Sequence, residues 1–163
     1  MTSITPPPSR IYLFRHAAAQ KASSGQKDFD RPLSDDGYAA AEIVAEKAIE
    51  KNYRPDLVIS STALRCRQTA DAIRRAVSPS TEFRYIDELY NATTDTYLEI
   101  ISSQVTEDSV MLVGHNPVIE HALEALIGHK ALVLALPNGF PTAGLAVIDS
   151  TSSGWVLADF VTQ

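Results

Sequence analysis

Short runs of apolar residues recur along the chain and predict the strands of a sheet. Four of them are IYLF at 11–14, DLVIS at 56–60, SVMLVGH at 109–115 and GLAVIDS at 144–150. The first three are apolar at nearly every position, which is typical of strands buried on both faces of a sheet. A fifth run, WVLADFV at 155–161, follows the fourth after the short segment TSSG. The last two strands are therefore predicted to form an antiparallel hairpin.

Helical patterns separate these runs. Ser34 is predicted to cap a helix through GYAAAEIVAEKAIEK, and Ser61 or Thr62 a second helix through ALRCRQTADAIRRAV. The segment TDTYLEIISSQ predicts a third helix, and a fourth is expected to begin with Asn116 as its cap and Pro117 at the first helical position. Strands that alternate with helices predict an α/β fold, a three-layer α/β/α sandwich with a mostly parallel central sheet.

Composition restricts the classes of function. The 163 residues include 45% hydrophobic and 21% charged residues, as in one ordinary soluble domain. The net charge of −6 argues against a nucleic-acid or membrane partner that binds a broad basic face. The single cysteine, Cys66, excludes an internal disulfide. Because no run resembles a signal peptide or a membrane span, we expect a cytoplasmic protein, with residues 1–9 as an extended leader and 10–163 as one domain.

Basic side chains follow three of the predicted strands where each strand ends. Arg15 and His16 follow the first strand, Arg65 lies in the first turn of the helix after the second, and His115 ends the third apolar run. Ligands of open α/β sheets bind beyond the carboxyl ends of the strands. Each residue alone would be interpreted as structural, but together they predict a cationic pocket. The planar guanidinium group of arginine, with several N–H donors on one side, is suited to bind tetrahedral oxyanions, phosphate above all.

Three motifs, in this order, resemble the histidine phosphatase superfamily: LFRHAAAQ, ISSTALRCRQTA and LVGHNP. The segment RPLSDDG at 31–37 is similar to the SixA-like phosphohistidine phosphatase branch, and the resemblance extends over residues 10–161. It implies a phosphoglycerate mutase-like fold and a phosphatase that requires neither a metal ion nor another cofactor.

The resemblance also implies roles for the basic residues. His16 would attack phosphorus and form a covalent phosphohistidine intermediate, with its other ring N–H held by a backbone acceptor. Arg15, Arg65 and His115 would bind the phosphoryl oxygens and neutralise the charge of the transition state. The family has Gly where this chain has Ala17, so the backbone there is expected to be more crowded.

The sequence leaves the proton donor for the leaving group open. Glu88 in IDELYNAT resembles the family's donor segment; Asp87 or no acid at all are the alternatives, and Glu88 could equally only order the loop. Three further residues are candidate substrate contacts: Arg31, Asn116 and Thr142. For Arg31, a salt bridge to Asp28 or Asp30 is an equally good interpretation.

Loop lengths bear on the substrate. The longest loops, 17–33 and 128–143, are short compared with the insertions that cover the pocket in sugar-phosphate members of the superfamily. They predict an open site suited to a phosphorylated side chain, so we expect phosphohistidine proteins as the substrate and a monomer or weak dimer as the assembly. A small-molecule phosphomonoesterase is the second hypothesis. A non-catalytic module that binds phosphate or phosphoproteins is the third.

Overall fold

One six-stranded sheet organises residues 3–163, the part of the chain that the computed structural model describes. The strands are β1 (Arg10–Arg15), β2 (Leu57–Ser61), β3 (Glu82–Ile86), β4 (Ser109–Gly114), β5 (Leu145–Thr151) and β6 (Gly154–Val161). Their order across the sheet is β3-β2-β4-β1-β5-β6. The first four are mutually parallel, whereas β5 is antiparallel to both β1 and β6. The predicted parallel sheet with an antiparallel C-terminal hairpin is confirmed.

Helices cover both faces of this sheet. They are α1 (Asp35–Glu50), α2 (Leu64–Ala76), α3 (Thr94–Ser102), α4 (Val118–Ile127) and α5 (His129–Ala135). Alternate residues of β1 point to opposite sides, so that Tyr12 and Phe14 pack with α1 and α2, while Ile11 and Leu13 pack with the other three helices. The predicted three-layer sandwich is therefore confirmed.

The helix starts agree with the sequence only in part. The Ser34 hydroxyl accepts a hydrogen bond from the Gly37 amide (3.0 Å), which confirms the cap of α1. The predicted cap of α2 is wrong, because that helix begins at Leu64 without a side-chain cap. The predicted start of α4 is also wrong, since the helix begins after Pro117 and no side chain caps it.

Two elements have no clear signal in the sequence. Strand β3 lies at the edge of the sheet and alternates between exposed and half-buried residues, so it lacks a continuous apolar run. Helix α5 occupies part of the segment 128–143, for which the sequence predicts a loop. It is only seven residues long and leaves Leu134 76% exposed, so its sequence shows no clear buried stripe.

The start of the chain packs on the sandwich. Residues 3–9 form neither helix nor strand, and the first two residues of the predicted leader lie outside the described part. Ile4 is buried, and its carbonyl oxygen accepts a hydrogen bond from Nε1 of Trp155 (3.0 Å). Within residues 3–163, no helix combines the length and the apolar character needed to cross a membrane.

Candidate active site

The carboxyl ends of the parallel strands open into a cavity of about 520 Å³. The four basic residues predicted as a group all line it: Arg15, His16, Arg65 and His115. Arg31 and Asn116 line it as well. The fold brings these side chains together because β1 and β4 are neighbours and end at the same edge of the sheet.

His16 presents one ring nitrogen to the cavity and has the other one engaged. Its Nδ1 lies 2.8 Å from the carbonyl oxygen of Ala17, an acceptor, so Nδ1 carries the proton and donates it there. The lone pair of Nε2 is then free. Burial lowers the pKa of His16 to about 4, and the positive charges of Arg65 and Arg15 act in the same direction. The ring is therefore neutral at pH 7, as a nucleophile must be.

The backbone after His16 is held by both neighbouring helices. The amide of Ala17 donates to Oγ1 of Thr69 in α2 (3.0 Å), and the Ala17 methyl group lies in the core. The carbonyl oxygen of Ala18 accepts from the Ser34 amide (2.9 Å). A side chain on Gly37 would collide with that same carbonyl. The segment RPLSDDG thus supplies both the cap of α1 and a close contact between this helix and the residues that follow His16.

Arg65 is buried and held by Asp28. One guanidinium nitrogen donates to the Asp28 carbonyl oxygen (2.9 Å) and another to Oδ2 of its carboxylate (3.1 Å). The Tyr90 hydroxyl donates to the same Oδ2 (2.7 Å), and Nε of Arg31 lies 3.0 Å from Oδ1. The hydrogen bond from Tyr90 and the nearby Arg65 and Arg31 lower the pKa of Asp28. Arg31 therefore both lines the cavity and pairs with Asp28.

His115 is fixed at three points. Its Nε2 lies 2.9 Å from Oγ of Ser61, its Nδ1 lies 3.4 Å from a guanidinium nitrogen of Arg65, and its amide donates to the Tyr97 hydroxyl (3.0 Å). Tyr97 also leaves no space for a side chain at Gly114. Burial lowers the pKa of His115 to about 3, with contributions from His16 and Arg65. An anion beside the ring would oppose this and favour the imidazolium.

Arg15 and Asn116 complete the polar lining. Arg15 donates to the carbonyl oxygen of Phe140 (2.6 Å). Among the described residues, its buried Nε and the buried Oδ1 of Asn116 have no hydrogen-bond partner. Arg15 thus contributes a guanidinium group to the cavity lining, and such groups are suited to bind oxyanions.

Comparisons with known proteins decide the family. The model of the histidine phosphatase superfamily (branch 1) matches residues 11–97. A crystal structure from Agrobacterium tumefaciens, of a protein assigned as the phosphohistidine phosphatase SixA, is 53% identical and has a TM-score of 0.91, covering 96% of this chain and 99% of that one. The chain belongs to the histidine phosphatase superfamily. It is a phosphatase of the SixA-like branch, as the sequence motifs predict.

Two further relatives extend the comparison. An uncharacterised protein of Mycobacterium tuberculosis is 33% identical over 141 residues, which cover 82% of this chain and 85% of the relative. The protein histidine phosphatase SixA in complex with tungstate is 19% identical, covers 94% of this chain and 96% of its own, and has a TM-score of 0.76. This second likeness shows the shared fold.

Three residues proposed for this histidine phosphatase from its sequence do not line the cavity. Glu88 is exposed because the 3₁₀ turn Asp87–Leu89 buries Leu89 and so directs Glu88 towards solvent. The Asp87 carboxylate accepts a hydrogen bond from Oγ1 of Thr62 (2.5 Å) instead. Thr142 is exposed as well, and none of the three lines the cavity.

Asp28 and Ser61 are contacts of the site that the sequence does not reveal. From sequence, Asp28 is only a salt-bridge partner of Arg31, whereas Ser61 is a candidate helix cap that also lies at the carboxyl end of the second strand, without an assigned partner. The sequence offers one hint for each residue. Asp28 lies shortly before the RPLSDDG motif, and Ser61 is the second of two serines at the end of a buried strand. Within residues 3–163, no group of three or more His, Cys, Asp and Glu side chains is placed to hold a metal ion.

Proposed function

We propose that this phosphatase removes the phosphoryl group from phosphohistidine side chains of proteins through a covalent intermediate on His16. The observation that carries the proposal is the setting of His16. Its ring is neutral, and Nδ1 donates a hydrogen bond to the Ala17 carbonyl oxygen. The ring lines a cavity shared with Arg15, Arg65 and His115.

The first step is an in-line attack. The lone pair on Nε2 of His16 forms a bond to phosphorus, and the electron pair of the breaking P–N bond goes to the imidazole of the substrate, which takes a proton from solvent. In the second step water attacks the phosphohistidine, the bond between phosphorus and Nε2 breaks, and inorganic phosphate leaves. The Ala17 carbonyl keeps the His16 ring in one tautomer throughout.

The cationic residues stabilise the charge that spreads over the phosphoryl oxygens. Arg15 and Arg65 offer fixed donors, and the phosphate dianion raises the pKa of His115 so that its ring can donate as well. Electrostatic stabilisation of this kind is most of what phosphoryl transfer demands of a protein.

The lining of the cavity favours a nitrogen leaving group over an alkoxide. The described lining residues include no Asp or Glu, so no carboxylic acid faces the leaving group. Asp28 lies near, but its carboxylate binds Arg65 and its pKa is lowered, so it is ionised at neutral pH. Imidazole departs from phosphorus with little help from a general acid, whereas an alkyl ester needs one.

The walls of the site suit a side chain presented by another protein. They come from short segments around Arg31, Tyr90 and Asn116. These polar groups stand beside the phosphate-binding residues, where a histidine and its flanking backbone would enter. We propose Arg31 and Asn116 as the substrate contacts.

The test compares two substrates and two variants. Purified protein is incubated with a polypeptide phosphorylated on histidine and, separately, with p-nitrophenyl phosphate, as wild type and as His16→Ala. We expect kcat/KM to be at least about 100-fold higher for the phosphohistidine polypeptide and to fall by several orders of magnitude in His16→Ala. Acid-labile phosphate should be trapped on the wild-type chain during turnover.

Each alternative has its own signature. Faster turnover of the ester would indicate a small-molecule phosphomonoesterase. Stable binding of the phosphorylated polypeptide without phosphate release would indicate a binding module. Equal phosphate release by wild type and His16→Ala would contradict His16 as the nucleophile.

A further inference from the structure

Among the described residues, the Ser61 side chain reaches the site through His115. It is fully buried at the end of β2, and its Oγ lies 2.9 Å from Nε2 of His115. The same oxygen accepts a hydrogen bond from the amide of Ala63 (3.3 Å). Ser61 does not line the cavity and cannot touch the substrate there.

The neighbours of His115 determine which ring nitrogen carries the proton in the free protein. A guanidinium nitrogen of Arg65, which is a donor at every pH, lies 3.4 Å from Nδ1, so Nδ1 faces it as an acceptor. The single proton of the neutral ring is then on Nε2, and it is donated to Ser61. Burial and the nearby positive charge of Arg65 disfavour a second proton on His115 near neutral pH, and an anion beside the ring would favour it.

We propose that Ser61 is a positioning residue that keeps one proton on Nε2 of His115 and so reserves Nδ1 for a hydrogen bond to a bound phosphoryl oxygen. This role rests on the proposed function, in which His115 binds the phosphoryl group. When phosphate binds, Nδ1 takes up a proton and donates to the anion, while Nε2–H continues to donate to the Ser61 oxygen.

Within residues 3–163, the other contact of Nε2 is a poor substitute for the serine. The Sγ atom of Cys66 lies 3.5 Å from Nε2, but sulfur is a weak acceptor and burial raises the pKa of this thiol to about 12. In Ser61→Ala the imidazolium would therefore keep a buried N–H without an oxygen acceptor. This disfavours the protonated ring.

The remaining charged and titratable groups around His115 stay the same when Ser61 is changed. They come from every element packed on the ring: Arg15, Asp28, Tyr90 and Tyr97, in addition to His16 and Arg65. A shift in the titration of His115 between wild type and Ser61→Ala thus reports on the serine hydroxyl itself.

The experiment follows the His115 ring by nitrogen NMR across pH, with and without inorganic phosphate, in wild type, Ser61→Ala and Ser61→Thr. In the phosphate complex we expect the pKa of His115 to be lower by about one unit in Ser61→Ala, since a hydrogen bond to the charged form is lost. The alkaline limb of kcat for p-nitrophenyl phosphate, which reports ionisation in the enzyme–substrate complex, should also move to lower pH. Ser61→Thr, which keeps the hydroxyl, should restore both.

Ser109→Ala is the matched control. Ser109 is also buried in the sheet, at the opposite end of the strands. Its hydroxyl accepts a hydrogen bond from the Asp56 amide and donates one to the Arg54 carbonyl oxygen. It should lower the stability without moving either titration. Identical pH dependence in wild type and Ser61→Ala would overturn the role of Ser61. An absence of any phosphate-induced change at His115 in wild type would instead overturn the proposed phosphate site.

Discussion

Arg65 and Asp28 are joined twice, through the backbone carbonyl oxygen of Asp28 (2.9 Å) and through its carboxylate (3.1 Å). Arg65 is 6% exposed and belongs to α2, whereas Asp28 lies in the 3₁₀ turn of the loop between β1 and α1. This pair orients the guanidinium but also places a negative charge beside the proposed phosphate site. Tyr90 and Arg31 hold the same carboxylate.

Removal of the Asp28 charge should strengthen anion binding. Asp28→Asn keeps the backbone contact to Arg65 and removes a charge that repels phosphate, so we expect inorganic phosphate or tungstate to inhibit about threefold to tenfold more tightly at low salt. Asp30→Asn, in the same 3₁₀ turn, is the matched control. Inhibition constants measured at two ionic strengths check this; weaker inhibition in Asp28→Asn would show that its carboxylate mainly holds Arg65 in place.

A lysine cannot replace Arg65. Arg65→Lys keeps the positive charge but loses the planar guanidinium that binds Asp28 and that we propose binds a phosphoryl oxygen, so we expect kcat/KM to fall by about 100-fold. Arg67→Lys, on the same helix but exposed, should stay within about threefold of wild type. Steady-state kinetics and thermal unfolding of both variants test this. A comparable loss in the two would contradict the assignment of Arg65.

The stability of the free protein should decrease in mild acid. In the folded state the pKa values of His16 and His115 are lowered from 6.5 to about 4 and about 3, so below pH 6.5 the unfolded chain binds more protons at these residues. We expect the free energy of unfolding to fall by roughly 1.4 kcal/mol per pH unit for each histidine between pH 6 and pH 4.

Denaturant unfolding across this pH range measures the effect. His115→Gln should reduce the slope, and saturating phosphate should flatten it, because the anion raises the pKa of His115. His129→Gln is the control, since its ring is exposed and away from the cavity. An unchanged slope in His115→Gln would contradict the lowered pKa.

The contact between α1 and Ala18, two residues after His16, should be sensitive to one methyl group. Gly37→Ala would push on the carbonyl of Ala18, so we expect a loss of about 1–3 kcal/mol in unfolding free energy together with lower activity, since His16 is two residues away. Ala39→Ser, at an exposed position of the same helix, should change neither by much. Urea unfolding and kcat/KM are the measurements. A stable, fully active Gly37→Ala variant would show that the backbone at Ala18 can move aside without loss of stability or activity.

The sequence by itself determined the class of fold and the location of the site. Continuous apolar runs predict buried parallel strands, and the carboxyl ends of such strands meet at one edge. For that reason the amino-acid order alone places Arg15, His16 and His115, each at the end of a strand or directly after it, at one cavity. The cap at Ser34 was also predictable, because it depends on residues three positions apart.

Only the tertiary structure decided which groups hold the basic residues and which carboxylates face them. Asp28 reaches Arg65, and Ser61 reaches His115, across distances in sequence that no local pattern encodes. Glu88 faces solvent because its turn buries Leu89, which packs in the hydrophobic core. Edge strand β3 and short helix α5 escape sequence-based prediction for a related reason: each is stabilised by packing on one side, which leaves no long apolar run in the sequence.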